Sequence, residues 1–341
     1  MHCANTNLKH LRILLGYTQG AFADMLGVSQ STLSSVEQHH RGLSQRLMAT
    51  AQFVTKVPCE FFEEPIDYYD APDLLFRADR FRRGEAEQIA TAFSITEHYL
   101  TLRYPDQTSD LPELTLPDGP LGQRVIEDAA ARTRAHLLFG PDTHLGNLTT
   151  ALHNHGVIVT SLPDCVGTPD FEAVSTPTPA PLRVIAINRN CRGERYRFNL
   201  AHELGHLVLH AARARRDVAT MEAEADRFAG ALLLPRQLLV GAVMPSTTLA
   251  EYARLKSQWG CSIRAIVRRA FELELIDYKR YRSLCMQISG RGWQVREPVD
   301  VLLENTFVTP IDLTALRRAR VEAPPDEPVL ASVTRLPTIH S

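Results

Sequence analysis

Apolar side chains recur at helical spacing in five short stretches within residues 1–65. Thr18 and Ser29 stand just before the second and third of these stretches, where a hydroxyl side chain can cap a helix N-terminus. Gly27 lies between them and is a predicted helix stop. The pattern predicts five short helices with a tight turn between the second and third, which is the layout of a helix-turn-helix domain.

The next part of the chain, residues 66–119, changes in character. The stretch 86–102 has the periodicity of one amphipathic helix, with Ile89, Phe93, Ile95 and Leu100 available for packing. The segment 104–120 contains four prolines and is not expected to form regular structure. We therefore predict a helical connector and a Pro-rich linker here, with the domain boundary in the linker.

A mixed pattern follows from residue 120 onward. We expect helices over 121–139 and 143–155, strands over 157–160 and 182–188, and a Pro- and Thr-rich loop over 165–181. Apolar helical spacing then dominates to about residue 290. Residues 291–341 are Pro-rich with little periodicity, and the last twenty or so are expected to be disordered. The fold class is mainly α with a small β-sheet (α+β).

Composition narrows the class of protein. The 341 residues are 44% hydrophobic with a formal net charge of −2, and no apolar run approaches the ~18 residues of a membrane span. Six cysteines are scattered without a C-x-x-C pair, which indicates reduced thiols and neither a disulfide framework nor a second zinc site. We expect a soluble cytoplasmic protein with no membrane contact.

Charge is distributed unevenly along the chain. Residues 1–65 hold five basic and five acidic side chains, although a DNA-binding domain normally has a basic face. A helical bundle for dimerisation or for gripping another repressor is therefore an alternative there. Residues 251–296 hold ten basic and four acidic side chains, a formal net charge of +6. Two interpretations of this stretch stay open. It contacts nucleic acid, or it is a packed helical annex whose arginines lie in solvent.

The most specific chemical signal is the H-E-x-x-H run formed by His202, Glu203 and His206. Two imidazoles four residues apart lie on one face of a helix, about 6 Å apart along its axis, and can bind one metal ion. Glu203 can then reach a water molecule at the metal, whose pKa zinc lowers to roughly 7, and accept its proton. This is the arrangement of a zinc peptidase.

Such a site needs a third protein ligand, and a second predicted helix offers one. Glu222 and Asp226 share a face there, so that one can bind the metal while the other accepts the second ring N–H of a ligand histidine. Glu224 points elsewhere and ranks below Glu222, without being excluded. His210 is too far along the helix from His202 to share an ion and is predicted to be a helix C-terminal or outer-shell residue.

The H-E-x-x-H run, the helix that carries Glu222 and the segments around them resemble those of the ImmA/IrrE metallopeptidases. The resemblance covers most of 120–290 and rests on these segments in order: Val184 to Asn188, Arg195 to His210, Glu222 to Asp226, Phe228-Ala229 and Leu232 to Pro235. It implies a zinc-dependent, gluzincin-like endopeptidase whose substrates are DNA-binding repressors, cleaved when stress or mobile-element signals arrive. It also implies that His202, His206 and Glu222 bind Zn²⁺ and that Glu203 is the general base. With Glu222 as the ligand, Asp226 on the same helix face is the expected outer-shell acceptor.

The N-terminal stretch is similar to the XRE-type helix-turn-helix, on Tyr17-Thr18-Gln19 and the run from Leu26 to Glu37. This resemblance implies binding of double-stranded operator DNA through residues 1–65, with a homodimer expected because such domains usually read two half-sites. Gln19 would contact phosphate. The residues expected to face base edges are Gln30, Ser31, Ser34 and Ser35.

The strand before the H-E-x-x-H helix is a candidate for substrate binding. In zinc peptidases a strand beside the metal cleft commonly pairs with an extended substrate, so we expect strand addition here. The backbone concerned is that of Val184, Ile185, Ala186, Ile187 and Asn188.

Together these features predict an XRE-type domain (1–65), a connector and linker (66–119), a zinc peptidase domain with helical annex (120–290) and a tail (291–341). The predicted function is DNA-associated proteolysis of a partner repressor or antitoxin, or of the chain itself, in transcription regulation. The alternative is a non-proteolytic XRE-type repressor or antitoxin-like regulator that uses the peptidase fold for sensing or oligomerisation. The intact H-E-x-x-H favours the enzyme, since a purely structural metal site has no use for Glu203.

Overall fold

The fold is described from a computed structural model. The described residues are 2–74, 81–164, 166–167, 170–177, 179–213, 217–304 and 308–315. They divide into two compact units. The first takes the described residues of Met1–Gln107, Thr160–Val174 and Val308–Val329, and the second takes those of Thr108–Val159, Ser175–Phe307 and Leu330–Ser341.

The first unit begins with the five predicted helices: α1 (His2–Leu14), α2 (Gln19–Leu26), α3 (Gln30–Glu37), α4 (Gln45–Thr55) and α5 (Cys59–Glu63). Both predicted caps are present, since Thr18 Oγ1 accepts from the Ala21 N–H and Ser29 Oγ accepts from the Thr32 N–H. Gly27 ends α2 with a φ of 67°, in the left-handed region that favours glycine. The helix-turn-helix layout is thus confirmed.

A buried carboxylate ties the first three helices together. Arg12 on α1 donates twice to Glu37 on α3, at 2.6 and 2.9 Å, and the Gln19 amide of α2 donates to the same carboxylate at 2.8 Å. Glu37 is 5% exposed, so these donors replace the water that its charge would otherwise need. The relative orientation of α2 and α3 is therefore fixed by a polar cluster as well as by apolar packing.

A sixth helix, α6 (Arg83–Arg103), follows a short 3₁₀ turn at Ala71–Asp73. The residues predicted to pack are buried, but so are all the others in the run 88–96. The prediction of an amphipathic helix is therefore wrong for this run, which is buried on every side. The polar side chains of this run form hydrogen bonds with backbone carbonyls of α6 itself or of another helix of the unit. Thr96 donates to the Ala92 carbonyl, and Gln88 donates to the Leu14 carbonyl of α1. These bonds let α6 pack in the core of the first unit.

The remaining elements follow the irregular segment 104–120, which forms no helix or strand, as expected. They are α7 (Gln123–His136), α8 (Leu148–Asn154), β1 (Val157–Thr160), β2 (Ala173–Ser175), β3 (Arg183–Ile187), α9 (Gly193–Leu209), α10 (Val218–Leu233), α11 (Arg236–Val240), α12 (Leu249–Trp259), α13 (Ile263–Glu272) and α14 (Tyr278–Gly290), with a last 3₁₀ turn at Leu313–Ala315. The fold class is confirmed as mainly helical with a small sheet.

The three strands form one sheet in the order β1-β3-β2. Strand β2 lies inside the segment 165–181, which was predicted to be a loop. The sequence did not indicate this strand because three residues are too few to show an alternating pattern. β3 is the central strand, so both of its edges are paired. The expected addition of a substrate strand to the backbone of residues 184–188 is therefore wrong, since strand addition needs a free sheet edge.

Helices α9 and α10 pack closely in the second unit. Gly205 of α9 faces α10, where a Cβ on it would lie 3.0 Å from Phe228 Cδ1 and 3.3 Å from Ala225 Cα. A larger residue at 205 would push the two helices apart. This close approach positions the side chains of α10 beside the H-E-x-x-H run.

The part of the predicted tail that follows α14 packs within the second unit. Glu304 accepts from the Leu148 and Thr149 N–H groups at the N-terminus of α8 and pairs with Arg197. Glu297 accepts from the Ile263 and Arg264 N–H groups at the N-terminus of α13. Two carboxylates thus cap two helices, where the helix dipole favours negative charge. The expected disorder of the last twenty residues concerns a part of the chain outside the described ranges.

The annex, α11 to α14, holds some of its charge inside the unit and not in solvent. Lys256 is 1% exposed and pairs with Glu194 at 2.8 Å and Glu297 at 3.1 Å. Arg269 is 3% exposed and pairs with Glu127 at 2.7 Å. The interpretation that places the arginines of this annex in solvent is therefore wrong for Arg269. No helix of the described residues has the length and apolarity needed to cross a membrane.

Candidate metal centre

The three residues of the H-E-x-x-H run lie on buried turns of α9. His202, Glu203 and His206 are each less than 10% exposed. Glu222, 8% exposed, faces them from α10. The two helices that pack through Gly205 therefore carry all four side chains into one polar pocket of an otherwise apolar interface.

Three ligand atoms converge in this pocket. His202 Nε2 and His206 Nε2 are 3.0 Å apart, and Glu222 places its carboxylate oxygens 3.2 Å from the His206 nitrogen and 3.5 Å from the His202 nitrogen. Ligand atoms about 2.0–2.1 Å from a tetrahedral zinc ion are about 3.3 Å from one another. The spacing of His202, His206 and Glu222 therefore fits one Zn²⁺-sized ion.

His202 is oriented by a carboxylate behind it. Its Nδ1 lies 2.9 Å from Asp226 Oδ1, on the same face of α10 as Glu222. An Nδ1–H that donates to Asp226 leaves the lone pair on Nε2, the atom that faces His206 and Glu222. The contact expected between Asp226 and a ligand histidine is present.

His206 is oriented by a longer chain of hydrogen bonds. Its Nδ1 lies 2.9 Å from His210 Nδ1, and His210 Nε2 lies 3.0 Å from Glu224 Oε2. A carboxylate only accepts, so His210 must donate through Nε2–H and accept through Nδ1. His206 then donates through Nδ1–H and keeps the lone pair of Nε2 for the pocket. The other oxygen of Glu224 accepts from the Leu121 N–H at 2.6 Å.

The electrostatics of the pocket follow from these contacts. Burial disfavours the protonated ring of His202, but hydrogen bonds to Asp226 and Glu222 outweigh it and raise its pKa to about 10. Burial opposes charge on Glu222 as well, but the two histidines more than compensate and hold its pKa far below the usual range.

Glu203 points to another partner. Its Oε2 accepts a hydrogen bond of 2.7 Å from the Ser175 hydroxyl, and Glu203 is 3% exposed while Ser175 is 1% exposed. Ser175 is the last residue of β2. This bond fixes one carboxylate oxygen of Glu203 beside the three candidate ligands without using it as a ligand.

A cavity of about 810 Å³ opens beside this pocket. Asp226 and Phe198 line it from α10 and α9, and α13 lines it with Arg264, Arg268 and Arg269. Over its whole lining it has six arginines and four acidic side chains. Three arginines of the basic stretch 251–296 therefore line a cavity next to the candidate metal centre.

The residues predicted to contact DNA differ in their exposure to solvent. Gln30 and Ser31, at the start of α3, are exposed, and Ser34 and Ser35 are partly buried. Gln19 contributes its amide to the cluster around Glu37. Contact of these side chains with DNA stays a prediction.

Two contributors to the site were missed in the sequence. Ser175 lies in a three-residue strand without any pattern, and only the folded sheet brings it to Glu203. Glu224 lies two residues after Glu222, about 200° around α10, and so does not share the face of the candidate ligand. Its carboxylate instead reaches His210, for which the sequence did predict an outer-shell place.

Comparison with known protein families agrees with both resemblances. The IrrE N-terminal-like domain family (Peptidase_M78) matches residues 154–271, which include α9, α10 and the whole candidate metal centre. The helix-turn-helix family matches residues 8–50. No curated protein matches the chain. The chain therefore carries a helix-turn-helix domain followed by a peptidase domain of the IrrE N-terminal-like family.

Proposed function

We propose that the protein is a DNA-associated, zinc-dependent endopeptidase, of gluzincin type, that acts in transcription regulation. The observation that carries this proposal is the convergence of His202, His206 and Glu222 within 3.5 Å of one another, with Glu203 buried beside them. A structural zinc site would have no use for that extra carboxylate. The two families matched by the chain support the same combination of DNA binding and peptide hydrolysis.

His202 and His206 would hold zinc through Nε2, and Glu222 would hold it through its carboxylate. Both nitrogens carry lone pairs because their Nδ1–H groups are committed to Asp226 and His210. A zinc ion bound there supplies a Lewis acid that polarises the peptide carbonyl and makes water a stronger acid.

Glu203 performs the proton transfer. It accepts a proton from the attacking water and then delivers it to the amine nitrogen as the peptide C–N bond breaks. Ser175 holds Glu203 in place through the 2.7 Å hydrogen bond and so acts as a positioning residue. The burial of both side chains keeps bulk water from competing for the carboxylate.

The substrate is a protein, and a partner repressor or antitoxin fits best, with cleavage of the chain itself as a second route. Since β3 is a central strand, an extended substrate segment does not pair with it. The arginine-lined cavity beside Asp226 favours a substrate segment with acidic side chains.

The first unit supplies the DNA association, as a homodimer on a two-half-site operator. Gln30 and Ser31 are exposed at the N-terminal end of α3, the end of a recognition helix that reaches base edges. Ser34 and Ser35 follow on the same helix, and Gln19 would contact phosphate from the start of α2.

The peptidase activity is tested with Glu203→Gln, which keeps the size and hydrogen-bonding capacity of the side chain but removes its basicity. Wild-type or variant protein is added with Zn²⁺ to a lysate of source cells that lack the chain, and new protein N-termini are identified by mass spectrometry. Wild type should generate new N-termini in a DNA-binding protein, and Glu203→Gln should lower their rate of formation by roughly a hundred- to ten-thousandfold. Glu113→Gln, an exposed glutamate in the irregular segment, is the matched control and should behave as wild type.

The same new N-termini in the Glu203→Gln sample would refute the assigned base. No new N-termini with wild type, including none in the protein itself, would favour the non-proteolytic regulator.

DNA association is tested by selecting genomic fragments bound by the full chain. Wild type and Glu203→Gln should enrich the same fragments, whereas Gln30→Ala/Ser31→Ala should lose that enrichment, since a good base contact contributes about 1–3 kcal/mol. Gln237→Ala, exposed on α11, is the control. Equal enrichment by the Gln30→Ala/Ser31→Ala variant would remove α3 as the recognition helix.

A further inference from the structure

A second group of ligating side chains lies in the second unit, outside the H-E-x-x-H centre. It consists of Asp110, His136 and His155, whose ligand atoms all lie within 4.8 Å of one another. His136 is the last residue of α7 and His155 is the C-terminal cap of α8. Asp110 lies in the irregular segment that precedes α7.

The distances within this group suit a metal ion better than hydrogen bonds. A single oxygen, Asp110 Oδ2, lies 3.3 Å from His136 Nε2 and 3.5 Å from His155 Nδ1. Both distances are longer than the 2.7–3.2 Å of ordinary N–H···O bonds. They are close to the separation of about 3.3 Å between ligand atoms around a tetrahedral zinc ion. The two imidazole rings are 4.9 Å apart, so that both nitrogens can face one point beside the carboxylate.

Backbone hydrogen bonds hold Asp110 against His155. The Asp110 N–H donates to the His155 carbonyl at 2.8 Å, and the neighbouring Ser109 donates to the Pro181 carbonyl through N–H and to the Gly156 carbonyl through its hydroxyl. The Arg183 N–H in turn donates to the Ser109 hydroxyl at 2.7 Å. A ligand set fixed in this way loses little conformational freedom when an ion binds.

The surroundings favour a cation with an open coordination position. Both histidines stand at C-terminal ends of helices, where the exposed carbonyls favour positive charge. The side chains are 46% exposed for Asp110, 28% for His136 and 17% for His155, so water can reach the ion and complete its shell. One competing contact exists, since His136 Nε2 lies 3.1 Å from the Asp110 carbonyl oxygen, and an ion would replace the proton that they share.

We propose that Asp110, His136 and His155 form a second, solvent-accessible site for a divalent transition-metal ion such as Zn²⁺. Imidazole and carboxylate ligands suit Zn²⁺, Co²⁺ and Ni²⁺, and three protein ligands plus water complete a tetrahedron. The ion fastens the segment around Asp110 to the ends of α7 and α8. This site is separate from the H-E-x-x-H centre and does not depend on the proposed peptidase function.

The test uses full-length His206→Ala protein, in which the H-E-x-x-H site has lost a ligand. Zinc binding is measured by titration calorimetry, and Co²⁺ binding by the visible absorption of tetrahedral cobalt. We expect one Zn²⁺ per chain in His206→Ala, at least a tenfold weaker affinity in His206→Ala/His136→Asn, and an unchanged affinity in His206→Ala/His144→Asn. His144 is an exposed histidine of the same unit and serves as the control.

A second arm keeps the proposal testable if His206→Ala does not fold. In the otherwise wild-type chain, His136→Asn and Asp110→Asn should each bind one fewer Zn²⁺ than wild type, with an unchanged Tm in the metal-free state. His206→Ala that binds no Zn²⁺ at 100 µM, or single variants that bind as many Zn²⁺ as wild type, would overturn the proposal.

Discussion

At the scale of single residues, the properties of the candidate metal centre are set by partners outside the ligand set. Neutral histidines become ligands at Nε2 only if their Nδ1–H groups have acceptors, and here Asp226 serves one ring directly. The other ring depends on His210 and, through it, on Glu224. Asp226, His210 and Glu224 therefore orient the candidate ligands without being among them.

Ser175 gives a prediction at this scale. In Ser175→Ala, Glu203 loses the 2.7 Å hydrogen bond that orients it, and a bond to a charged group contributes about 1.5–3 kcal/mol. We expect kcat for the cleaved target to fall by roughly 10- to 100-fold, with KM and zinc content unchanged. Ser257→Ala, at an exposed serine of α12, is the control. A wild-type kcat in Ser175→Ala would show that Glu203 does not need this partner.

At the scale of elements, the contact between α9 and α10 holds the ligands of one site together. Gly205→Ala places a methyl group 3.0 Å from Phe228 Cδ1 and 3.3 Å from Ala225 Cα, so one helix must move. We expect a loss of about 1–3 kcal/mol in unfolding free energy and a weaker affinity for zinc. Urea unfolding with zinc titration measures both.

The control for this prediction lies on α10. A Cβ on Gly230 meets nothing within 4 Å, so Gly230→Ala removes only the helix cost of glycine and should stabilise the protein by about 0.5–1 kcal/mol. Equal behaviour of the two alanine variants would show that the helix approach at Gly205 is not tight.

The elements also show where sequence reasoning succeeds. The caps Thr18 and Ser29, the stop at Gly27 and the H-E-x-x-H face of α9 are encoded within a few residues, and each was predictable. Strand β2 and the burial of α6 were not, because pairing with distant segments creates them. The prediction that a substrate strand adds to residues 184–188 failed for the same reason, since strand order is a property of the whole sheet.

At the scale of the whole molecule, two compact units carry two different chemistries. The first has a helix-turn-helix layout with no net charge over residues 1–65. Under the proposed function its affinity for DNA would therefore rest on contacts from α3 more than on general attraction to phosphate. The second contains a buried two-histidine, two-carboxylate centre with an arginine-lined cavity beside it. Under the proposed function, the first unit would bring the peptidase domain to the DNA-bound proteins that it cleaves.

The most direct test of the metal centre is the zinc content of the intact chain by native mass spectrometry. Wild type and Glu203→Gln should carry the same number of Zn²⁺ ions, and His206→Ala should carry one fewer, because Glu203 is not a ligand and His206 is. An unchanged number in His206→Ala, or a loss in Glu203→Gln, would contradict the assignment of His202, His206 and Glu222 as ligands and of Glu203 as the base.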